Sequence, residues 1–370
     1  MSRSQSCGLV VSALLFLCAA VYPTEACCPA PMKGDWVLNA DQTVIMIWDA
    51  VAKRQHFIRQ ASFQANAKDF GFIIPTPSQP ELAEAGNETF ATLQRYTEPQ
   101  VIHRPRGGGC NLGCSKAALP AAGAVKSEVR VLEEKLVAGF SATVLEADDV
   151  NVLVKWLEEN GYNYSPAVAE WAAPYVEQKW KFTALKVAPT EPNAEPNADL
   201  IATEGSSVVK ASALRLSFDT DRPLFPYREP NYEQEAGGNA ERQSQLAGAN
   251  RLLRVYFLSD ARYSGELTKE QPWTGKVAWA GKLAAPQRAE VLQQLKLPEN
   301  TGPQNFYLTE FEDNWPYKVA PADVYFGAST NQSDVQRDPV YVSHDSGGDF
   351  SLAVLIALAL AIPLWNRRRV

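Results

Sequence analysis

Two largely apolar segments without a charged residue, one at each end of the chain, constrain what this sequence can fold into more than any other feature. The first runs from Cys7 to Val21, after a start that carries Arg3, and the second runs from Phe350 to Trp365. A helix of a globular domain is apolar on one face only, whereas a segment that is apolar on every side is buried in a large core or in a membrane. The two ends are therefore considered separately from the roughly 320 residues between them, which we call the body.

The N-terminal segment has the three parts of a secretory signal peptide: a positive start, a short apolar stretch and a small residue before the cleavage point. Its apolar stretch of about 15 residues is short for a span of the hydrocarbon layer, which needs about 20. Residues 1–26 are therefore predicted to be a signal peptide that signal peptidase removes after Ala26, and a retained signal anchor is the alternative. Lipidation of Cys27 is a further alternative, which Thr24 and Glu25 fit poorly.

The C-terminal segment, residues 350–370, is predicted to be a transmembrane helix. Its apolar positions reach about 24 Å as a helix, slightly less than the hydrocarbon thickness. Arg367, Arg368 and Arg369 follow the apolar stretch and can snorkel to the interface. Their charge places the C-terminus in the cytoplasm and the body in the extracytoplasmic envelope, facing the periplasm or at the cell surface. A buried core helix is the alternative.

Gly347 and Gly348, followed by one apolar helix and an arginine cluster, resemble bacterial C-terminal sorting tails of the GlyGly type. The resemblance implies that a rhomboid-like intramembrane protease trims the tail near these glycines. A permanent single-span anchor accounts for the same residues, so both fates of the helix stay open. Residues 327–349, which precede the helix, are predicted to be a flexible stalk.

The body is acidic. The whole chain has 35 basic and 42 acidic residues, and removal of the two ends leaves 31 and 41. A negative surface repels nucleic acid and anionic headgroups, so nucleic acid is not expected as a partner. Nine tryptophans and many other aromatic and β-branched residues favour a packed, strand-rich core over disorder.

Four cysteines remain in the body: Cys27, Cys28, Cys110 and Cys114. An even number in an oxidising compartment favours two disulfides. Adjacent cysteines rarely bond to each other, because a standard disulfide holds its Cα atoms about 5.5 Å apart. We therefore predict that Cys27 and Cys28 bond to Cys110 and Cys114. A metal site on the four thiolates is the alternative, although their spacing differs from that of structural zinc sites.

The order of predicted elements indicates an α+β fold with mostly antiparallel β-sheets and a few packed helices, in one unit or two lobes. The expected strands are 43–48, 55–64, 70–74, 129–144, 181–187, 214–218, 252–258 and 276–280. The expected helices are 90–96, 150–157, 166–177 and 286–295. The tandem Glu-Pro-Asn-Ala repeat at 190–199 has the composition of a linker. It is predicted to separate an N-terminal lobe, residues 27–189, from a C-terminal lobe, residues 200–326.

No residue set in the body specifies a reaction, so we predict no catalytic residue, no cofactor and no metal ligand. The chain has three histidines and no closely spaced pair, which argues against a histidine metal site. His56 is interpreted as a surface residue of a strand, and the alternating strand 214–218 as half-buried. A Ser–His–Asp triad lacks the Gly-x-Ser-x-Gly motif. The carboxylate oxygens of Asp219 and Asp221 are suited to bind calcium, but the two residues are interpreted as part of a turn.

Several short sequence motifs follow one another along the body. They are Ala-Cys-Cys-Pro at 26–29, Asp-Phe-Gly-Phe-Ile-Ile-Pro-Thr-Pro at 69–77, Trp-Leu-Glu-Glu-Asn-Gly-Tyr at 156–162, Phe-Thr-Ala-Leu-Lys at 182–186 and Leu-Arg-Leu-Ser-Phe-Asp-Thr-Asp-Arg-Pro-Leu-Phe-Pro at 214–226. Together they resemble a bacterial family known as domain of unknown function 2330, over about Ala26 to Gly327. The resemblance implies an exported envelope protein and supplies no catalytic residues.

The sequence thus predicts an envelope protein that is anchored or sorted by its tail and has a binding or structural role. The reasons are the export signals, the predicted crosslinks and the lack of a recognisable reaction centre. One rival hypothesis is an extracytoplasmic hydrolase that uses carboxylates, and another is a cysteine-based redox or metal-handling module. A pocket that gathers desolvated carboxylates would favour the hydrolase.

Overall fold

The computed structural model describes residues 28–31, 37–39, 42–60, 62–65, 70–103, 130–162, 166–187, 199–203, 206–210, 213–230, 250–268, 272–316 and 322–342. These residues form a sheet-rich α+β fold with mostly antiparallel sheets, which confirms the predicted fold class. The predicted signal peptide and the predicted transmembrane tail both lie outside them. No helix within the described ranges is long and apolar enough to cross a membrane.

The described residues contain four helices and twenty-one strands. The helices are α1 (Glu88–Thr97), α2 (Val150–Glu159), α3 (Pro166–Glu177) and α4 (Ala285–Gln294). The strands are β1 (Cys28–Pro31), β2 (Val37–Asn39), β3 (Gln42–Asp49), β4 (Arg54–Arg59), β5 (Ser62–Ala65), β6 (Phe70–Thr76), β7 (Glu81–Ala85), β8 (Val101–His103), β9 (Arg130–Val137), β10 (Phe140–Glu146), β11 (Lys181–Val187), β12 (Asp199–Thr203), β13 (Ser206–Lys210), β14 (Ala213–Asp219), β15 (Leu224–Phe225), β16 (Asn250–Ser259), β17 (Tyr263–Glu266), β18 (Lys276–Lys282), β19 (Tyr307–Pro316), β20 (Val324–Ala328) and β21 (Val340–Val342).

Two large sheets pack face to face around the main core. One has seven strands in the order β18-β19-β16-β3-β4-β14-β7, and the other has five in the order β1-β6-β11-β10-β9. Val44, Phe57 and Val255 of the first sheet share one hydrophobic cluster with Phe72 and Phe140 of the second. The core therefore lies between the sheets, and the small sheet β15-β20-β17 adds Phe225, Tyr263 and Phe326 to it.

Helices cover the outer face of each large sheet, so the molecule has four layers in the order helix, sheet, sheet, helix. Trp156 of α2 and Trp171 of α3 pack on the five-stranded sheet. Leu93 of α1 and Leu292 of α4 pack on the seven-stranded sheet. Because central strands are then covered on both faces, consecutive residues are buried, as in 44–48 of β3.

Strand β14 shows the effect of this double cover. The sequence pattern predicted a half-buried strand, but all of residues 213–218 are buried. Leu214 and Leu216 face the core between the sheets, while Arg215 and Ser217 face the helical layer and are 7% and 2% exposed. The prediction was wrong because the alternation of apolar and polar residues separates two buried environments here, not core from solvent.

The seven-stranded sheet draws its strands from both halves of the chain. Strands β3, β4 and β7 precede residues 190–199, whereas β14, β16, β18 and β19 follow them. The predicted single strand 55–64 is instead two strands, β4 and β5, which belong to different sheets. The halves on either side of the repeat thus build one sheet together.

Residues 329–342, which we call the strap, lie along the body past edge strand β18, although the sequence predicted a flexible stalk there. Val335 and Ala280 of β18 exchange two backbone hydrogen bonds of 2.8 Å each. Arg337 contacts the buried carboxylate of Glu310 at 2.8 Å, and β21 pairs with β8 in parallel. The strap follows the body because an edge strand leaves backbone groups that another segment can satisfy.

Candidate functional site

Polar side chains gather at one end of the seven-stranded sheet, on the face that α4 covers. The register of β4 and β14 places Arg54 opposite Asp219 and His56 opposite Ser217, while Arg215 lies two positions before Ser217. Residues directly opposite each other, and residues two apart along a strand, project from the same face. The pairing of two distant strands therefore brings two arginines, a histidine and a serine together.

The neighbouring strands add two carboxylates to the same face. Glu81 of β7 lies opposite Ser217, and Asp49 of β3 lies opposite Arg54. A cavity of about 280 Å³ opens over these side chains. Its lining residues are Asp49, Ala52, Arg54, His56, Glu81, Arg215, Ser217, Leu297, Pro298, Asn300, Thr301 and Gly302.

The loop that follows α4, residues 297–302, forms the wall of the cavity opposite the sheet. Gly302 has a φ of 68°, in the left-handed region that favours glycine. Arg288 of α4 is 9% exposed and binds the backbone of this loop. It donates hydrogen bonds to the carbonyl oxygens of Glu299, Thr301 and Pro303 at 2.9, 3.0 and 3.0 Å. The wall is thus fixed to the helix by one guanidinium.

Arg215 brings a buried positive charge to the cavity. Its Nη1 donates to the carbonyl oxygens of Leu295 and Lys296 at 2.9 and 3.2 Å, just after the end of α4. Lys296 has a φ of 55°, and this turn presents two successive carbonyl groups to one guanidinium. In the described part of the chain the Nε–H of Arg215 has no hydrogen-bond partner. Burial lowers the pKa of Arg215.

His56 and Ser217 form a hydrogen-bonded pair, with 2.7 Å between Nδ1 and Oγ. His56 is only 8% exposed, so its interpretation as a surface residue was wrong: the helical layer covers this face of β4. Burial, and then the positive charges of Arg215 and Arg54, lower the pKa of His56 to about 4. The imidazole is therefore neutral at neutral pH.

The carboxylates at the rim of the cavity are already engaged. Arg54 donates to Asp219 at 2.9 Å and to Glu81 at 3.0 Å. Asp49 accepts two backbone N–H groups of the turn that follows it, at 2.9 Å each. The side chain of Glu81 is 64% exposed, so the cavity does not gather the desolvated carboxylates that would favour the hydrolase hypothesis.

The turn at Asp219 and Asp221 uses both carboxylates in ion pairs. Asp221 contacts Lys53 at 2.7 Å, and Asp219 contacts Arg54. Within the described ranges no group of three or more histidine, cysteine, aspartate or glutamate residues could hold a metal ion. Ion pairing thus accounts for this acidic turn.

The remaining candidate residues from the sequence lie largely beyond the described ranges. Cys28 begins β1. The other residues that the sequence singled out for disulfides, tail processing and membrane flanking lie outside: Cys27, Cys110, Cys114, Gly347, Gly348, Arg367, Arg368 and Arg369. The disulfide and sorting predictions therefore stay predictions.

Two buried carboxylates elsewhere in the described residues, Asp313 and Asp323, accept hydrogen bonds from neutral donors. Asp313 accepts hydrogen bonds from the hydroxyl of Tyr227 at 2.8 Å and from Nε1 of Trp273 at 2.9 Å. Asp323 accepts from the hydroxyl of Tyr175 at 3.0 Å, and burial raises its pKa to about 6. Neither carboxylate lines the cavity, so both are assigned to the packing of the core.

A known family covers the whole of this arrangement. The family described as "Uncharacterized protein conserved in bacteria (DUF2330)" matches residues 22–326. The chain belongs to this family. The DUF2330 match includes all strands of both large sheets, the helix α4 and the loop 297–302, whereas the strap lies beyond it. No curated protein and no solved structure matches the chain.

Sequence reasoning placed no residue in this cavity. His56 and Ser217 are 161 positions apart, so nothing local connects them. One signal was available, because the longest phrase that resembles the DUF2330 family, residues 214–226, contains Arg215 and Ser217. A polar residue at every second position of an otherwise apolar strand fits a buried site as well as a solvent face.

Proposed function

We propose that this member of the DUF2330 family is an exported envelope protein that binds a small polar ligand in the cavity without converting it. The observation that carries the proposal is a preformed cavity lined by Arg215, His56 and Ser217, each more than nine-tenths buried. Burial of polar groups is costly unless they find partners. A ligand with polar atoms would supply partners that the protein lacks at this place.

Binding is favoured over catalysis by the position of Ser217. It lies inside β14, between β4 and β7, so its backbone hydrogen bonds belong to the sheet. The nucleophile of a serine hydrolase instead lies beside free backbone N–H donors that stabilise the oxyanion. The pair of Ser217 and His56 therefore serves better to orient a ligand than to attack one.

The localisation of the protein outside the cytosol is part of the same proposal and is supported by the two apolar ends of the sequence. Signal peptidase removes residues 1–26, and the helix in residues 350–370 anchors the body to the membrane from outside the cytosol. A rhomboid-like protease that trims near Gly347 and Gly348 is the alternative fate of the tail. The body is crosslinked by disulfides that join Cys27 and Cys28 to Cys110 and Cys114.

Thermal unfolding of the full chain tests the binding proposal, with a panel of small acids, amines, neutral amides and sugars. A compound that binds only the folded state raises the unfolding midpoint. We expect at least one class to do so, and Ser217→Val to reduce the shift. The control is Ser264→Val, which changes an exposed serine of β17. If no compound raises the midpoint, the cavity is not a ligand site.

Serine hydrolysis is a second candidate, favoured by the 2.7 Å bond between His56 and Ser217. A fluorophosphonate probe distinguishes the two functions, since an activated serine attacks its phosphorus and expels fluoride. The binding proposal expects Ser217 to remain unlabelled. Labelling of Ser217 that disappears in His56→Gln would replace the binding proposal with the hydrolase.

A further inference from the structure

We infer that the ligand of the cavity presents a carboxylate group to Arg215. This inference rests on the proposed function and adds the chemical class of the ligand. Two features support it: a buried guanidinium whose described hydrogen bonds go to carbonyl oxygens, and a hydrogen-bond donor that remains beside it. A third feature, the charge of the lining, favours a monoanion over a dianion.

The first feature is the environment of Arg215. Its described hydrogen-bond partners are two carbonyl oxygens, those of Leu295 and Lys296, and its Nε–H is without a partner in the described part of the chain. The partial negative charge at the end of α4 offsets part of the buried charge. The full counter-charge of a carboxylate offsets it better.

The second feature is the donor that the pair of His56 and Ser217 keeps. A neutral imidazole has one N–H, and a hydroxyl has one O–H. The pair shares one hydrogen bond, between Nδ1 and Oγ. Whichever group donates in that bond, the other keeps its own hydrogen. One donor is therefore left for a ligand oxygen, independently of the tautomer of His56.

The third feature selects a carboxylate over a phosphate. Arg54 is paired with Asp219 and Glu81, whereas Arg215 forms no ion pair in the described residues and is attracted by Glu81 only at longer range. Asp49 and Glu81 also line the cavity and would repel a dianion. A volume of about 280 Å³ suits a small molecule. The two carboxylates of the lining already balance its two arginines, so a small monoanion adds less excess negative charge than a dianion does.

The test uses the full chain and three probes of similar size: propionate, its neutral isostere propionamide, and inorganic phosphate. The ring protons of His56 are the reporter inside the cavity, and the chain has only three histidines to resolve by NMR. His56→Gln identifies the resonance. Propionate is expected to shift it saturably, propionamide at least about tenfold more weakly, and phosphate more weakly than propionate.

Variants locate the effect at Arg215. Arg215→Met is expected to weaken propionate binding about tenfold, whereas Arg215→Lys keeps the charge and loses less. Arg95→Met removes an exposed arginine of α1 and is the matched control, expected to bind as the parent does. Ser217→Ala provides a second variant if Arg215→Met does not fold, and it is expected to weaken propionate binding by a smaller factor.

The outcomes separate this inference from the proposed function. Propionamide binding as tightly as propionate, or propionate binding that Arg215→Met leaves unchanged, would overturn the carboxylate while the cavity remains a ligand site. Phosphate binding more tightly than propionate would also overturn it. Failure of propionate in a cavity that does bind a neutral compound of the panel overturns the inference alone. Failure of every compound overturns both proposals.

Discussion

At the scale of single residues, the cavity depends on a histidine that its surroundings keep neutral. The helical layer covers His56, and the charges of Arg215 and Arg54 act in the same direction as burial. Asp49 opposes them and has the smallest of the four effects. Protonation of His56 would put a third positive charge beside two arginines, so acid is expected to disturb this part of the sheet first.

We predict that His56 makes the protein less stable as the pH falls from about 6.5 to about 4. The pKa of His56 is about 4 in the folded protein and about 6.5 when unfolded. Between these values the unfolded chain binds a proton that the folded chain does not, which favours unfolding. The loss is on the order of 3 kcal/mol at the acid end.

Urea unfolding at several pH values measures this loss of stability, and the variant His56→Gln is the reference. The variant keeps a hydrogen-bonding side chain but cannot titrate, so its free energy of unfolding should fall less steeply over the interval. Equal slopes for the two proteins would contradict the prediction. The carboxylates of the protein contribute equally to both curves and cancel in the comparison.

At the scale of elements, the wall of the cavity depends on one arginine of α4. Arg288 donates to three carbonyl oxygens of the loop after the helix and lies over the ring of Phe306, 4.9 Å from its centroid. These carbonyls have no place in a helix or sheet ladder. The hydrogen bonds from Arg288 thus take the place of a helix or sheet ladder for these carbonyl groups. They hold residues 297–302 in a defined conformation.

Arg288→Met is predicted to loosen this loop and to cost about 2–3 kcal/mol of stability, because it removes three hydrogen bonds that a charged group donates to the loop carbonyls. Hydrogen exchange should become faster in residues 297–303. Arg130→Met is the control, since it breaks only an exposed ion pair with Glu146 and should cost less than about 1 kcal/mol. Unchanged exchange in the loop would show that packing alone holds it.

The strap is held by side chains as well as by its backbone pairing with β18 and β8. Arg337→Ala is predicted to speed hydrogen exchange at the amides of Val335 and Val340 with little change in the unfolding midpoint. The midpoint should hold because Arg254 still pairs with the buried Glu310 at 3.0 Å. Asp338→Ala, at the exposed neighbouring position, should leave both amides unchanged. A large drop in the midpoint would mean that the strap belongs to the cooperative core.

Local patterns in the sequence predicted several elements well. The helix 166–177 and the strand 181–187 have the bounds that the sequence indicated, because proline, apolar spacing and β-branched residues act within a few positions. Strand β19 was missed, since charged residues interrupt its apolar pattern: Glu310 is 1% exposed and pairs with Arg254 and Arg337. The cavity was missed for a related reason, because it depends on which strands pair.

At the scale of the whole molecule, the four layers explain why the polar site is buried at all. A sheet with one solvated face would expose Arg215, His56 and Ser217 to water. Here α4 and the loop 297–302 cover that face, and the cavity is the gap that they leave at the end of the sheet. The family match ends at residue 326 and contains every part of this gap.

The intact mass of the native protein is the measurement that tests its processing. We predict a chain that begins at Cys27 and lacks the four hydrogens that two disulfides remove. The mass also shows whether the tail ends near Gly347 or continues to Val370, and whether a lipid is attached. A chain that retains residues 1–26 and has four free thiols in its body would contradict the export proposal.

Because the strap contacts the body at several places, a force that pulls on its C-terminal end is expected to break these contacts in a defined order. Any tension applied beyond residue 342 reaches the pairing of β21 with β8 first, then Arg337, and then the two bonds between Val335 and Ala280. These contacts would peel one after another, and each would absorb strain before β20 is loaded. If the body is attached to a fluctuating surface by this end, the strap would keep the pulling force from reaching the sheets. The cavity would then keep its shape under load.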